Sequence, residues 1–250
     1  MNIAKHRTLN IRYYKDFKGR ISMWWNNKLK KNMNFKEFNT DNECFKWGTK
    51  YYGDWLQEFQ VNRSNPYESL LKSFENPSEN LLVNEIGTQE YDDIYIYSAF
   101  NFYSGDGYYQ INKYLRYGKT EPFDAKSKLY SDIMISEIRK FHIPENIVTY
   151  RVLNKQGLSK MSKGKVKKGM ILEDKAFLST GLIYKNLWNK YNSDCLLQIL
   201  IPKGNNGLYI GLITNLYEQE VILPPNTKME IIDIYRYKNK KVYKCILLKD

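Results

Sequence analysis

The hydrophobic rhythm of this chain changes once, near residue 145, and that change limits the folds open to it. Upstream, apolar residues recur at helical spacing. Phe45, Tyr52, Trp55 and Phe59 follow Thr40-Asp41-Asn42, which reads as a cap and an amphipathic helix. A shorter helix is expected from Ser64-Asn65-Pro66 to about Phe74. Residues 91–101 fit helix or strand, with Ile94, Ser98 and Phe102 suited to a helix face. After the turn Ser104-Gly105-Asp106-Gly107, the spacing of Tyr108, Ile111, Asn112 and Leu115 marks another helix. Leu129, Ile133, Met134, Ile138 and Phe141 mark one more, ending before Pro144. Downstream, short strands take over at 147–153, 176–179, 196–201, 208–210, 218–223, 228–238 and 241–248. Gly204-Asn205-Asn206-Gly207, Pro224-Pro225-Asn226 and a polar turn at 238–241 separate them, and 160–169 reads as a basic loop. Helices followed by strands, rather than alternating with them, predict an α+β fold with a helical layer from the amino-terminal half.

A chain of 250 residues has room for one domain of generous size, or one domain with an extension. Hydrophobic residues at 42% and aromatics at 15% exclude a disordered chain. No run of eighteen apolar residues occurs and no apolar segment opens the sequence, so neither a transmembrane helix nor a Sec-type signal is visible. Export, where it occurs, is expected by another route. Cys44, Cys195 and Cys245 are odd in number and widely spaced, which suits neither a disulfide framework nor a metal knuckle. With only His6 and His142 beside them, a zinc site or a Ser-His-Asp triad is not expected, and catalysis falls to carboxylates.

The charge is uneven. Residues 1–40 hold ten basic side chains against Asp16 and Glu37, which places eight of the twelve net positive charges there. This basic extension, with Trp24, Trp25 and Phe35, suits nucleic acid, an acidic protein or an anionic membrane, or else a solvated lead-in to the fold. Residues 41–250 make the main domain. No Walker loop exists, and Gly105-Asp106-Gly107 lacks the third glycine and preceding strand of a dinucleotide fingerprint.

Glu218-Gln219-Glu220 is the sharpest chemical signal. On a strand, period-two alternation would put both carboxylates on one face, roughly 7 Å apart. Such a pair can stabilise a sugar oxocarbenium ion with one member and manage the nucleophile with the other. A lone Glu-x-Glu is far more often a solvated acidic patch at a strand edge, so the rest of the chain has to decide. Here it follows Tyr150-Arg151 and Phe177-Leu178-Ser179-Thr180-Gly181 in order.

That ordered series resembles the arginine, Ser-Thr-Ser and Glu-x-Glu signature of bacterial mono-ADP-ribosyltransferase toxins, close to the enzymatic components of clostridial binary toxins and their insecticidal relatives. The stretch Tyr-Ser-Gly-Asp-Gly-Tyr-Tyr-Gln-Ile-Asn-Lys-Tyr-Leu-Arg, residues 103–116, is similar to the family's tyrosine segment followed by Ile-Asn-x-x-Leu-Arg. The likeness runs from about residue 40 to the end. It implies a split, bent pair of antiparallel-rich sheets with NAD as co-substrate in the cleft between them. Arg151 would pair with an NAD phosphate. Ser179 would hold the rotamer of the catalytic Glu220, and Thr180 would steady the strand turn beside the cofactor. Tyr103, Tyr108, Asn112 and Gln156 would contact the cofactor.

By the same likeness, nicotinamide leaves, Glu220 stabilises the ribosyl cation, and Glu218 orients an incoming guanidinium and takes its proton. Arginine is the implied acceptor and a host protein, actin, the implied target, with side NAD glycohydrolase activity. Residues 211–217 would form the target-facing loop, with Tyr217 as its aromatic contact. Two departures stand out: the third serine of the signature is Gly181, and 184–194 fits poorly, leaving Tyr184, Lys185, Trp188 or Lys190 to cover the phosphates. Binary-toxin enzymes carry a second, amino-terminal copy of the fold that docks on a translocation pore. About forty residues precede the domain here, so docking of that sort is not expected, while some translocation or delivery partner stays in view. The protein is expected to be secreted or delivered into a host cytosol, without a metal. The alternatives are a transferase acting on another protein or on nucleic acid, or a basic nucleic-acid-binding module with no NAD turnover.

Overall fold

The computed structural model describes residues 14–15, 21–22, 33–61, 93–118, 124–190, 193–211, 213, 218–238 and 240–249. The chain divides into two compact units, Met1–Asn34 and Phe35–Asp250. The described part of the smaller unit is an antiparallel pair, β1 (Tyr14–Lys15) and β2 (Ile21–Ser22). The larger unit takes in Lys36, whose backbone bonds to Asn146 and Val148.

Helix α1 (Asp41–Val61) starts at a reciprocal cap. The Glu43 N–H donates to Thr40 Oγ1 at 3.3 Å, and the Glu43 carboxylate accepts from the backbone N–H groups of Asn39 and Thr40. Its buried face carries Cys44, Trp47, Tyr52 and Trp55. Phe45, expected on that face, is 55% exposed instead. Each residue turns the helix by about 100°, so the neighbour of a buried Cys44 points out of the stripe. The Phe59 side chain and the helix expected at 64–74 lie outside the described residues. The ambiguous segment resolves as helix α2 (Asp93–Phe102), followed by a single wide turn, Tyr103–Gly107, and helix α3 (Tyr108–Tyr117). Helix α4 (Asp124–Lys140) packs beneath them, and a 2.7 Å bond from Trp55 Nε1 to the buried Glu137 carboxylate ties α1 to it.

The strands are β3 (Ile147–Leu153), β4 (Ile171–Asp174), β5 (Leu178–Gly181), β6 (Cys195–Ile201), β7 (Leu208–Tyr209), β8 (Glu220–Leu223), β9 (Thr227–Tyr237) and β10 (Lys240–Leu247). They run in the order β4-β9-β10-β6-β3-β5-β8-β7, antiparallel except for β10 beside β6. Alternate residues of the central strands feed two cores. Leu197, Ile199, Tyr243 and Cys245 join the large core that takes in α1, α2 and α4, while Leu196, Leu200, Val242 and Ile246 face a smaller one. Strand β6 is therefore apolar on both sides, which is why its sequence reads as a hydrophobic run broken only by Gln198.

One link in the order decides where a ligand can enter. Strands β3 and β5 pair through a single position, Tyr150 with Gly181. The five-strand group ending in β3 and the three-strand group starting at β5 thus meet at one residue pair, which is the form the two-sheet expectation takes. Several boundaries differ from the sequence reading. The strand expected at 176–179 lies at Leu178–Gly181. Helix α5 (Lys155–Met161) takes the first residues of the basic loop, and helix α6 (Tyr184–Lys190) and strand β4 were not foreseen. Strand β8 begins at Glu220, two residues later than expected, because Gln219 has φ +50° and cannot continue a pleat.

Candidate active site

Beyond Tyr150, β3 loses β5 as a partner, and a cleft of about 370 Å³ opens there. Arg151, Val152 and Leu153 line one side, Ser179, Thr180 and Gly181 the other, and Tyr103, Tyr108 and Asn112 reach it from the helical layer. Glu218 and Glu220 both line it. Volume and the mixture of polar and apolar walls suit a small-molecule site.

Arg151 bridges the split. Its Nη1 donates to the Ser179 carbonyl at 2.7 Å, a bond made by a side chain where the backbone ladder has lapsed. The Ser179 hydroxyl donates to Glu220 Oε1. Glu220, only 4% exposed, is paired through its backbone with Gly181, so its carboxylate is fixed by both ladder and side chain. The Thr180 hydroxyl donates to the Val221 carbonyl at 2.9 Å, which turns it to the β5–β8 seam. Asn112 donates to the Tyr103 hydroxyl at 3.1 Å. Burial, and after it the Glu220 charge, raise the Tyr103 phenol above its ordinary pKa, so it stays neutral.

Two buried polar atoms in this wall have no hydrogen-bond partner: Asn112 Oδ1 and Arg151 Nε. One is an acceptor, the other a cationic donor. Orphaned buried groups cost free energy, so the protein's own groups leave this wall incompletely satisfied.

Glu218 reaches the cleft differently from the expected strand alternation. It sits in a turn ahead of β8, and the left-handed Gln219 between the two glutamates re-aims it. Gly181 makes room: a Cβ there would lie 2.8 Å from the Glu218 carbonyl oxygen and 2.9 Å from Leu187 Cδ1. Of the residues singled out from sequence, Gln156 is exposed on α5 and is not among the cleft-lining residues, and Tyr217 lies outside the described residues. Tyr184 packs against Tyr150 at 5.8 Å between ring centroids, and Lys185 is exposed. The side chains of Trp188 and Lys190 lie outside the described residues. Ser104, Asn154, Leu187 and Ser193 line the cleft without having been foreseen. Asn154 had a legible signal, since it is the cap of α5 and accepts from Gly157 N–H at 2.7 Å. Among the described residues no His, Cys, Asp and Glu cluster could hold a metal, and no helix is long and apolar enough to cross a membrane.

A mixed sheet joined through one residue pair, with arginine, serine and glutamate interlocked beside it, is the arrangement that the resemblance to ADP-ribosyltransferases implies. Comparison with known proteins narrows this further. The sequence model of the ADP-ribosyltransferase exoenzyme family matches residues 45–249, and the chain belongs to that family. NAD is accordingly its co-substrate. Mono(ADP-ribosyl)transferase SpvB of Salmonella typhimurium is 34% identical over 161 residues, 54% of this chain and 26% of that protein. NAD(+)--arginine ADP-ribosyltransferase EFV of Enterococcus faecalis is 30% identical over 149 residues, 54% of this chain and 28% of that protein. The matched region thus spans about a quarter of these curated relatives. Among solved structures, Plx2a, an ADP-ribosyltransferase toxin from Paenibacillus larvae, superposes with a TM-score of 0.59 at 20% identity, covering 85% of this chain and 99% of that one. At that identity the likeness speaks for the fold.

Proposed function

We propose that this chain transfers ADP-ribose from NAD to an arginine side chain of a host protein, with NAD hydrolysis as a side activity. The observation that carries the reading is the interlock of Arg151, Ser179 and Glu220 at the mouth of a cleft that Glu218 also lines. Arg151, which lines the cleft, offers a permanent cation to the pyrophosphate. Asn112 Oδ1 offers an acceptor to an amide or hydroxyl of the same ligand. The ribosyl C–N bond breaks with its electron pair leaving on nicotinamide. Glu220, held by Ser179, supplies negative charge beside the cationic carbon, and a fixed charge in a dry cleft lowers the barrier most. A guanidine nitrogen forms the new C–N bond, and Glu218 takes the proton it releases.

The arginine assignment is supported by the Glu-x-Glu pair and by the likeness to EFV, an NAD(+)--arginine ADP-ribosyltransferase by name. Actin is the target we put forward, on the family resemblance. Domain 41–250 is the proposed catalytic domain, Gln156 and Tyr217 remain proposed ligand contacts, and delivery into a host cell is the proposed setting.

The test is labelled NAD with agmatine and host-cell lysate. Label on agmatine and on an actin-sized band supports the reading, while nucleic-acid binding without NAD turnover overturns it. Glu218→Gln is expected to abolish arginine transfer and leave NAD hydrolysis measurable, whereas Glu220→Gln loses both. Full transfer by Glu220→Gln would overturn the roles.

A further inference from the structure

The two glutamates are positioned by unlike means. Glu220 is built into β8 and held by Ser179, so the β5–β8 ladder fixes it. Glu218 has no such ladder. Its direction depends on Gln219, a non-glycine residue in left-handed backbone at φ +50°, a conformation that costs on the order of 1 kcal/mol and needs outside support. The support is visible. The Gln219 side-chain oxygen accepts from the Tyr209 hydroxyl, and its Nε2 donates to Asp41 Oδ1 at 3.1 Å. Asp41, the first residue of α1, also accepts from Asn186 Nδ2 of α6 at 3.3 Å. The Gln219 carbonyl accepts from Leu182 N–H at 3.1 Å.

Tyr209 is itself immobilised. It is fully buried, with Trp47 and Tyr52 rings at centroid distances of 5.7 and 6.3 Å. Its ring occupies the space beside Gly48, where a Cβ would meet Tyr209 Cε1 at 2.0 Å, and its hydroxyl lies 2.6 Å from the corresponding point on Gly211. Burial raises its pKa, so at neutral pH it remains an O–H donor.

We propose that Gln219 is a positioning residue, clamped between Tyr209 and Asp41, that holds the turn aiming Glu218 into the cleft. The clamp thereby governs transfer to the acceptor and leaves the glycosidic step to Glu220. This inference rests on the transferase reading for its activity arm, and a second arm is independent of activity. Gln219→Ala and Tyr209→Phe, the latter keeping the ring in its seat, are compared with the native chain in three measurements. These are agmatine transfer, NAD hydrolysis, and deuterium exchange at the Leu182 amide.

A misplacement on the ångström scale is expected to lower transfer by roughly 10- to 100-fold in Gln219→Ala, and by less in Tyr209→Phe, with NAD hydrolysis within about twofold of native. The effect should lie in the transfer-to-hydrolysis ratio, which a general loss of stability would not change. Leu182 exchange should quicken in both variants. A native ratio together with native exchange overturns the clamp, and if Gln219→Ala does not fold, Tyr209→Phe decides alone. If the native chain consumes NAD without labelling agmatine, the acceptor assignment fails, and Leu182 exchange still decides the clamp.

Discussion

At residue 181 the chain carries glycine where the family signature carries serine, and the structure gives that departure a cause. The space a side chain would fill is taken by the Glu218 carbonyl at 2.8 Å and by Leu187. Forcing a methyl into a packed position costs about 1–3 kcal/mol or moves a neighbour; the Leu187 side chain can rotate away, whereas the Glu218 carbonyl is backbone and can yield only if the turn that aims Glu218 shifts. Gly181→Ala is therefore expected to lower agmatine transfer more than NAD hydrolysis, together with a fall in the urea midpoint. An unchanged transfer rate would show that the turn yields without moving the Glu218 carboxylate. At this scale the sequence made the chemistry legible but not the geometry. Type and order single out Arg151, Ser179 and Glu220, each beside a recognisable motif, and the structure brings the three together at one cleft. The aim of Glu218 was derived from strand alternation, whereas the residue between the glutamates is left-handed, held by partners 10 and 178 positions away. No local pattern encodes such a contact.

Among the elements, α3 is the one whose placement matters most to the cleft, since it carries Tyr108 and Asn112. It is stapled to the end of β4 by Arg116, whose Nε and Nη2 both donate to Asp174, at 2.9 to 3.2 Å. The Asp174 carboxylate is only 3% exposed and also accepts from Ala176 N–H, so it is satisfied on both oxygens while the arginine stays. Removing one partner of a buried pair leaves a charge without compensation, a loss of about 3 kcal/mol. Arg116→Met keeps the length of the side chain and should lower stability by that order. It should also raise the KM for NAD, because Asn112 moves with its helix, while Arg116→Lys recovers part of the stability but not the two-pronged geometry. Denaturant titration and NAD kinetics check the two halves, and a native urea midpoint in Arg116→Met would refute the staple. Helices with strong apolar periodicity, such as α1 and α4, were readable in advance. β4 escaped because Ile171-Leu172-Glu173-Asp174 carries only two apolar residues, and its strand form is imposed by pairing with β9.

Across the whole molecule, the two cores bury an unusual set of weak acids. All three cysteines are buried; burial first, then nearby Asp41 and Glu43, push Cys44 up to about 12, and burial pushes Cys245 up to about 12. Burial, then Asp194, pushes Cys195 up to about 11. None is an activated thiolate, which agrees with a chemistry run on carboxylates. Burial likewise raises the phenols of Tyr52, Tyr103, Tyr150 and Tyr209, which knit α1, the helical layer and the sheet together. Each of these groups is neutral when protonated, and its folded value lies above the ordinary values of 9.0 for cysteine and 10.0 for tyrosine. The sign follows. Above about pH 9 the unfolded chain has released protons that the folded chain retains, so rising pH favours unfolding, and the slope steepens once tyrosines join above about pH 10. Each group adds about 1.4 kcal/mol per pH unit to that slope while the two states differ by a full proton. The urea midpoint is therefore expected to fall from about pH 9 upward and more sharply beyond about pH 10. A midpoint that holds steady to about pH 11 would mean that these side chains reach solvent in the folded state, and with it that the aromatic seat under Gln219 is looser than its packing implies.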